Sequence, residues 1–210
     1  MTISILNLMA RFEDRISAAG ELLPGLQKYT DSNAVVVGLP RGGVVTASFL
    51  AKKLKLPLDF IIVKKVGAPG NSELAVGAVT ESDQEYSDDE FEQKRKEALE
   101  RGRLYRKNYP AKSLKDKVVI LADDGVATGA TMLAAIGVVK RKGAKRVVVA
   151  IPVASTDAAG KIKSLSDEFV CLMADPDMSA VGEYYNSFPQ VEDGEVLAIL
   201  ENAKDNFFNK

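Results

Sequence analysis

The chain has 210 residues, 46% hydrophobic and 27% charged, with 28 basic against 29 acidic side chains and a net charge of −1. That length suits one α/β domain with at most a small appendage. The balanced charge gives no basic field to draw in nucleic acid, and no apolar run reaches the ~20 residues of a membrane span.

The segment "MTISILNLMARFEDR" lacks the basic start, long apolar stretch and small-residue cleavage site of a signal peptide. The single cysteine, Cys171 in "FVCLM", reads as a packing residue and permits no internal disulfide, which fits a reducing cytoplasm. Histidine is absent, so Ser-His-Asp and Cys-His relays and histidine-ligated metals are excluded.

Along the chain, Phe12, Ile16, Ala19, Leu22 and Leu23 recur at helical spacing and predict a helix over 11–28, weakened at its end by Pro24 and Gly25. "NAVVVGLP" (33–40) reads as a buried strand and "GVVTASFLAKKL" (43–54) as a helix. "LDFIIVKK" (58–65) reads as a second buried strand, "VGAPGNSE" (66–73) as a loop and "LAVGAVT" (74–80) as a strand interrupted by Gly77. Residues 88–109 form a charged helix opened by acids and closed by bases, as the helix dipole favours. "DKVVILADD" (116–124) is the third buried strand, 130–144 a helix stopped by Gly143, 144–153 the fourth strand, 156–165 a weak helix and 168–174 the fifth strand. An irregular tail precedes a short helix over 193–205. Strands alternating with helices predict a doubly wound, mostly parallel five-stranded sheet with helices on both faces. Ligands bind such sheets beyond the carboxyl ends of the strands, so the residues just after each apolar run carry the functional information.

The richest of these follow the third strand, in "LADDGVATGAT" (121–131). Gly125 and Gly129 allow a ligand to approach the backbone, the amides of a helix start face outward, and Thr128 and Thr131 add hydroxyl donors, which together suit one phosphate monoester. No Gly-Lys-Ser/Thr follows as in a Walker loop, no dinucleotide fingerprint is present, and Gly125 stands where an Asp-x-Asp phosphatase needs its second acid. Asp123 and Asp124 diverge to opposite sides of a strand end and can accept separately from the vicinal hydroxyls of a ribose. The combination reads as ribose 5-phosphate recognition; the competing reading is an acid-capped helix start. After the first strand, "LPRGGV" (39–44) offers the amides of Gly42 and Gly43 and the fork of Arg41 to an anion, although Pro-Arg-Gly-Gly is also an ordinary turn.

"VVILADDGVATGAT" resembles the signature of the type I phosphoribosyltransferases at Asp123, Asp124, Ala127, Thr128, Gly129 and Thr131. With "FEDR", "LPRGG", "VKKVGAPGNSELAVGAV" and "VGEYYNSFPQV", nearly the whole chain is similar to a narrower group of bacterial and archaeal proteins of that family. The resemblance implies that phosphoribosyl diphosphate is the sugar donor and an unidentified nitrogenous base the acceptor. Asp123 and Asp124 would hold the sugar, and Gly125, Val126, Ala127, Thr128, Gly129, Ala130 and Thr131 the 5′-phosphate. Arg41, Gly42 and Gly43 would hold the diphosphate, in a loop where the family often carries an unusual cis peptide. Lys64 and Lys65 either assist the diphosphate or form a solvated pair; Glu73 and Glu81 are further polar candidates near a mobile loop.

It also implies one domain over 1–210 with a small hood from 1–30 and 175–210. There, Tyr184, Tyr185 and Phe188 would stack on the base or pin the tail to the sheet. Displacement at the ribose C1 carbon would be inverting and oxocarbenium-like. Mg²⁺ would be carried by the substrate, reaching Asp123 or Asp124 through water at most. No general base is evident. A homodimer is the analogy of the fold. The alternatives are a non-catalytic regulator sensing phosphoribosyl diphosphate or a nucleotide on the same fold, and an enzyme of another ribose phosphate.

Overall fold

The computed structural model describes residues 12–68, 71–80 and 89–208, with backbone alone at 65, 67–68, 71–78 and 205–208. Its centre is a parallel sheet of β1 (Ala34–Gly38), β2 (Leu58–Phe60), β5 (Val118–Ala122), β6 (Arg146–Ser155) and β7 (Glu168–Asp175), in the order β2-β1-β5-β6-β7. β1, β5 and β6 are built on Val- and Ile-rich runs, as parallel strands buried on both faces favour. Alternate residues leave on opposite faces. Ala34, Val36, Ile120 and Ala122 join one apolar cluster with α1 (Arg15–Leu26), α2 (Gly42–Leu54), α3 (Asp89–Arg106) and α6 (Asp193–Phe208). Val35, Val37, Val119 and Leu121 join a second cluster with α4 (Ala130–Arg141) and α5 (Thr156–Leu165). The five-stranded, doubly wound sheet therefore has the predicted form.

Three boundaries moved. The predicted strand 58–65 divides: β2 stays in the sheet to Phe60, and the chain re-forms as β3 (Val63–Ala68). Ile61 and Ile62 are both buried but belong to the two different clusters, so this hinge is apolar on both sides and its break is invisible to hydropathy. The predicted loop 66–73 is mostly strand, because β3 pairs antiparallel with β4 (Asn71–Thr80) as a separate two-stranded ribbon, with a register shift at Gly67. The first helix starts at Arg15 rather than 11. Asp14 caps it, accepting from the Ser17 amide at 2.7 Å. Phe12 instead lies alongside Tyr185, its amide donating to Tyr184 O at 2.9 Å. Gly143, with φ of +81°, ends the turn after α4 as expected.

The order places β1 beside β2 on one side and β5 on the other. The helices following β1 and β5 cross to opposite faces, which opens a crevice at their carboxyl ends. Gly38 and Ala122 are register partners at that edge.

A buried carboxylate fixes the β2 side. Asp59, 3% exposed, accepts from the amides of Phe60 and Lys112 at 2.8 Å each and from the Arg106 guanidinium, which stacks on the Phe60 ring at 3.6 Å. Asp59→Ala removes the acceptor of the buried Phe60 amide and of the half-buried Lys112 amide, and the anion facing the Arg106 guanidinium. It is expected to cost about 2–4 kcal/mol, read as a fall in melting temperature of roughly 5–15 °C. As a contrast, a methyl at Gly160 in α5 meets no atom within 4 Å; Gly160→Ala is expected to stabilise by about 0.5–1 kcal/mol in the same assay.

Candidate functional site

At the switch point a cavity of about 340 Å³ is lined by residues 39–42 and 123–132. It gathers Arg41, Gly42, Asp123, Asp124 and the whole turn from Gly125 to Thr131, which come from two strand ends far apart in sequence.

The loop after β1 sits directly on the acidic pair. A Cβ on Gly42 would lie 2.0 Å from Asp124 Oδ2 and 3.1 Å from Arg15 Nε, and one on Gly43 would lie 2.5 Å from Asp123 Oδ1. Both positions must lack a side chain for the two loops to meet. Gly43 packs behind the pair and does not line the cavity. The Pro40–Arg41 peptide is cis, as the resemblance implied for this loop.

The turn after β5 is held from β6. Val126 N donates to Val153 O and Ser155 N to Val126 O, both at 2.9 Å, and Ser155 Oγ donates to Ala127 O at 2.6 Å. Gly129, with φ of +84°, precedes α4 and gives that helix no side-chain cap. The first amides of α4 thus point past a turn on which Thr128 and Thr131 are exposed. The positive end of the helix dipole stands behind them, the arrangement that takes a phosphate.

The acids are half-buried and differently engaged. Asp123 Oδ1 accepts the Asp124 amide at 2.9 Å. Asp124 Oδ2 accepts from Arg15 Nε at 2.7 Å. One oxygen of each carboxylate is therefore committed inside the protein. Burial, and then the charge of Asp124, push the Asp123 carboxyl well above the usual range, against a lowering by the Asp124 amide and the Arg15 charge.

Arg15 is the residue that sequence reasoning missed. It is buried; beyond Asp124 it donates through Nη1 to Pro189 O at 2.9 Å, and its guanidinium lies 3.7 Å from the Phe188 ring centre. A signal was present: Arg15 shares a helical stripe with Ala18, Ala19, Leu22 and Leu26, all buried, and a cation on an apolar stripe calls for a buried anion.

Other candidates lie elsewhere. Arg41 borders the cavity, but its Nη1 pairs with Glu192 at 3.5 Å and Asp193 at 3.9 Å. Lys64 lines a neighbouring hollow of about 310 Å³ with Glu97, Glu100, Arg101, Leu104 and Asp193, and pairs with Glu97 at 3.3 Å. The side chains of Lys65 and Glu73, and the whole of Glu81, fall outside the described residues. Tyr184 and Tyr185 are buried away from the cavity lining. Tyr184 donates to Asp175 Oδ2 at 2.6 Å, Tyr185 donates to Asp124 O at 2.5 Å, and Tyr185 stacks on Phe188 at 4.8 Å between ring centres. Burial and the nearby Asp124 charge raise the Tyr185 phenol. Of the two readings of these tyrosines, their placement corresponds to pinning the tail against α1 and β6.

A doubly wound parallel sheet with an acidic pair and an uncapped helix start at its switch point defines a class of α/β proteins that bind ligands beyond the carboxyl ends of their strands. Within that class the chain belongs to the phosphoribosyl transferase family, whose domain model matches residues 4–186. It is 36% identical over 95% of its length to the Mycobacterium tuberculosis protein named "Putative phosphoribosyl transferase Rv0571c". The chain spans about half, 48%, of that relative's length. Its structure resembles that of TT1426 from Thermus thermophilus, at 43% identity and a TM-score of 0.82, covering 91% of this chain and 98% of that one. A hypoxanthine phosphoribosyltransferase from Staphylococcus aureus shares the fold at 16% identity and a TM-score of 0.50, covering 77% and 73%.

Two outcomes follow from the geometry. Gly42→Ala forces apart Asp124 and the loop after β1; it is expected to destabilise by about 1–3 kcal/mol, read as a lower melting temperature. Asp123 binds its proton more tightly when folded than when unfolded. Its contribution to stability is full below the ordinary pKa of about 3.9 and is lost as the pH rises through the higher folded value. Asp123→Asn keeps an acceptor for the Asp124 amide and carries no such loss. The variant is expected to melt above the wild type at pH 8, with no advantage at pH 4. Parallel melting curves across that range would refute the assignment.

Proposed function

We propose that the chain transfers ribose 5-phosphate from phosphoribosyl diphosphate to a nitrogenous base and releases diphosphate. One observation carries the reading: a single cavity is bordered by two carboxylates, by the uncapped start of α4 and by the Arg41–Gly42 turn. Acceptors for two sugar hydroxyls thus lie between two anion sites. The 5′-phosphate goes to the α4 turn, a remote handle whose binding energy orients C1. The free oxygens of Asp123 and Asp124 take the ribose hydroxyls, and their negative field favours a sugar ring that becomes positive. The C1–oxygen bond to diphosphate breaks, a C1–nitrogen bond forms, and the base loses its N–H proton to solvent.

Arg41 turns from Glu192 and Asp193 toward the departing diphosphate. Lys64 joins it from the neighbouring hollow, whose Asp193 faces both Arg41 and Arg101. The donor set fits a magnesium ion carried by the substrate. Among the described residues no three carboxylate or thiol groups converge on one point, and Asp123 and Asp124 would reach such an ion through water. Its chemistry there would be to neutralise charge on the diphosphate.

The tail, packed on α1 through Phe12, Tyr184 and Tyr185, serves as the hood of a single domain, with Phe188 against the Arg15 guanidinium and the Tyr185 hydroxyl on the Asp124 carbonyl. The proposal extends to a homodimer, on the analogy of the fold, and to a cytoplasmic setting, on the unpaired Cys171. Among the described residues no helix is long and apolar enough to cross a membrane.

Diphosphate release on mixing the protein with phosphoribosyl diphosphate, magnesium and a panel of bases tests the reading. Turnover with at least one base is expected, and Asp123→Asn with Asp124→Asn should reduce it by roughly 10²–10³-fold. Binding of phosphoribosyl diphosphate without release for any base would favour the sensing role. Undiminished turnover in the double variant would remove the acids from the sugar site.

A further inference from the structure

We propose that Arg15 is a positioning residue for the sugar: it holds one oxygen of Asp124 while anchoring the tail, and so fixes how the acidic pair meets the ribose hydroxyls. The inference rests on the phosphoribosyl diphosphate reading and adds to it a residue behind the cavity wall.

Arg15 is costly where it stands. It is the first residue of α1, so its charge sits at the positive end of that helix dipole, and it is buried on an apolar stripe. Nothing in α1 calls for a cation there. What does is Asp124, whose carboxylate is 14% exposed and adjoins a second acid. Three parts of the guanidinium are used at once: Nε on Asp124, Nη1 on Pro189 O and the flat face on Phe188. Lysine has neither the fork nor the plane to do this.

The consequence is geometric. With Oδ2 held, Asp124 offers its other oxygen in one orientation, and the tail segment that touches Arg15 is tied to that orientation. Gly42 packs against the same contact, its missing Cβ 3.1 Å from Arg15 Nε. Arg15 therefore joins the sugar acids, the loop after β1 and the tail in one contact.

The test compares ribose 5-phosphate with inorganic phosphate, each titrated calorimetrically into the full chain. Inorganic phosphate uses the α4 turn but not the acids. Arg15→Met is expected to weaken ribose 5-phosphate about tenfold, a loss typical of one buried charged contact, and to leave phosphate binding unchanged. Arg15→Lys should fall between. In an Asp124→Asn background Arg15→Met should cause no further loss, because the two act as one unit. Equal weakening of both ligands, an additive loss in the Asp124→Asn background, or no weakening would each overturn the proposal. If Arg15→Met does not fold, Arg15→Lys decides by the same ratio of the two affinities. A wild-type chain that does not prefer ribose 5-phosphate to phosphate refutes the ribose reading itself, an outcome distinct from a variant that behaves as wild type.

Discussion

Two adjacent carboxylates at the mouth of a buried strand repel each other and lose hydration, and the cavity depends on how that repulsion is contained. Arg15 takes one oxygen of Asp124 at 2.7 Å, and the Asp124 amide takes one oxygen of Asp123. The raised Asp123 carboxyl shows that the containment is partial. A site in that condition favours whatever supplies donors or positive charge, such as sugar hydroxyls or a sugar ring turning cationic.

The sheet order determines where this arrangement lies. Because α2 and α4 leave β1 and β5 toward opposite faces, a crevice opens at the carboxyl ends of those two strands. The loop after β1 descends onto the acids only because residues 42 and 43 are glycines. The turn after β5 is carried by β6 through Val153 and Ser155, so it rests on a buried strand of the core. Membership of the phosphoribosyl transferase family agrees with these placements.

Much of this was legible in the chain. The inner strands β1, β5 and β6 are apolar runs whose residues alternate between two buried faces. Parallel burial on both sides makes such runs stand out from their flanks. Asp123, Asp124 and the Gly/Thr turn were legible for another reason: adjacent acids at a strand end serve no packing purpose. The ribbon of β3 and β4 was less legible, because Gly67 and Gly77 break the alternation that marks a strand, and Ile61–Ile62 hides a break inside a hydrophobic run. Arg15 was overlooked because a cation in a first turn usually faces solvent. Tyr184 and Tyr185 were ambiguous because an aromatic in an irregular tail can serve a ligand or the core, and only the partners of the two hydroxyls, Asp175 and the Asp124 carbonyl, distinguish the two.

The sequence by itself determined the local chemistry: which strand ends carry acids, which turns expose amides, and that no histidine is available. Those features depend on residue type and near-neighbour spacing. The tertiary structure decided which of these pieces share a cavity. It set Arg41 against Glu192, placed Lys64 in a separate hollow, and brought Arg15 from the first helix to Asp124, 109 residues away. Ion pairing and desolvation act through space between groups that the chain keeps apart, so no pattern within any one segment could have specified them.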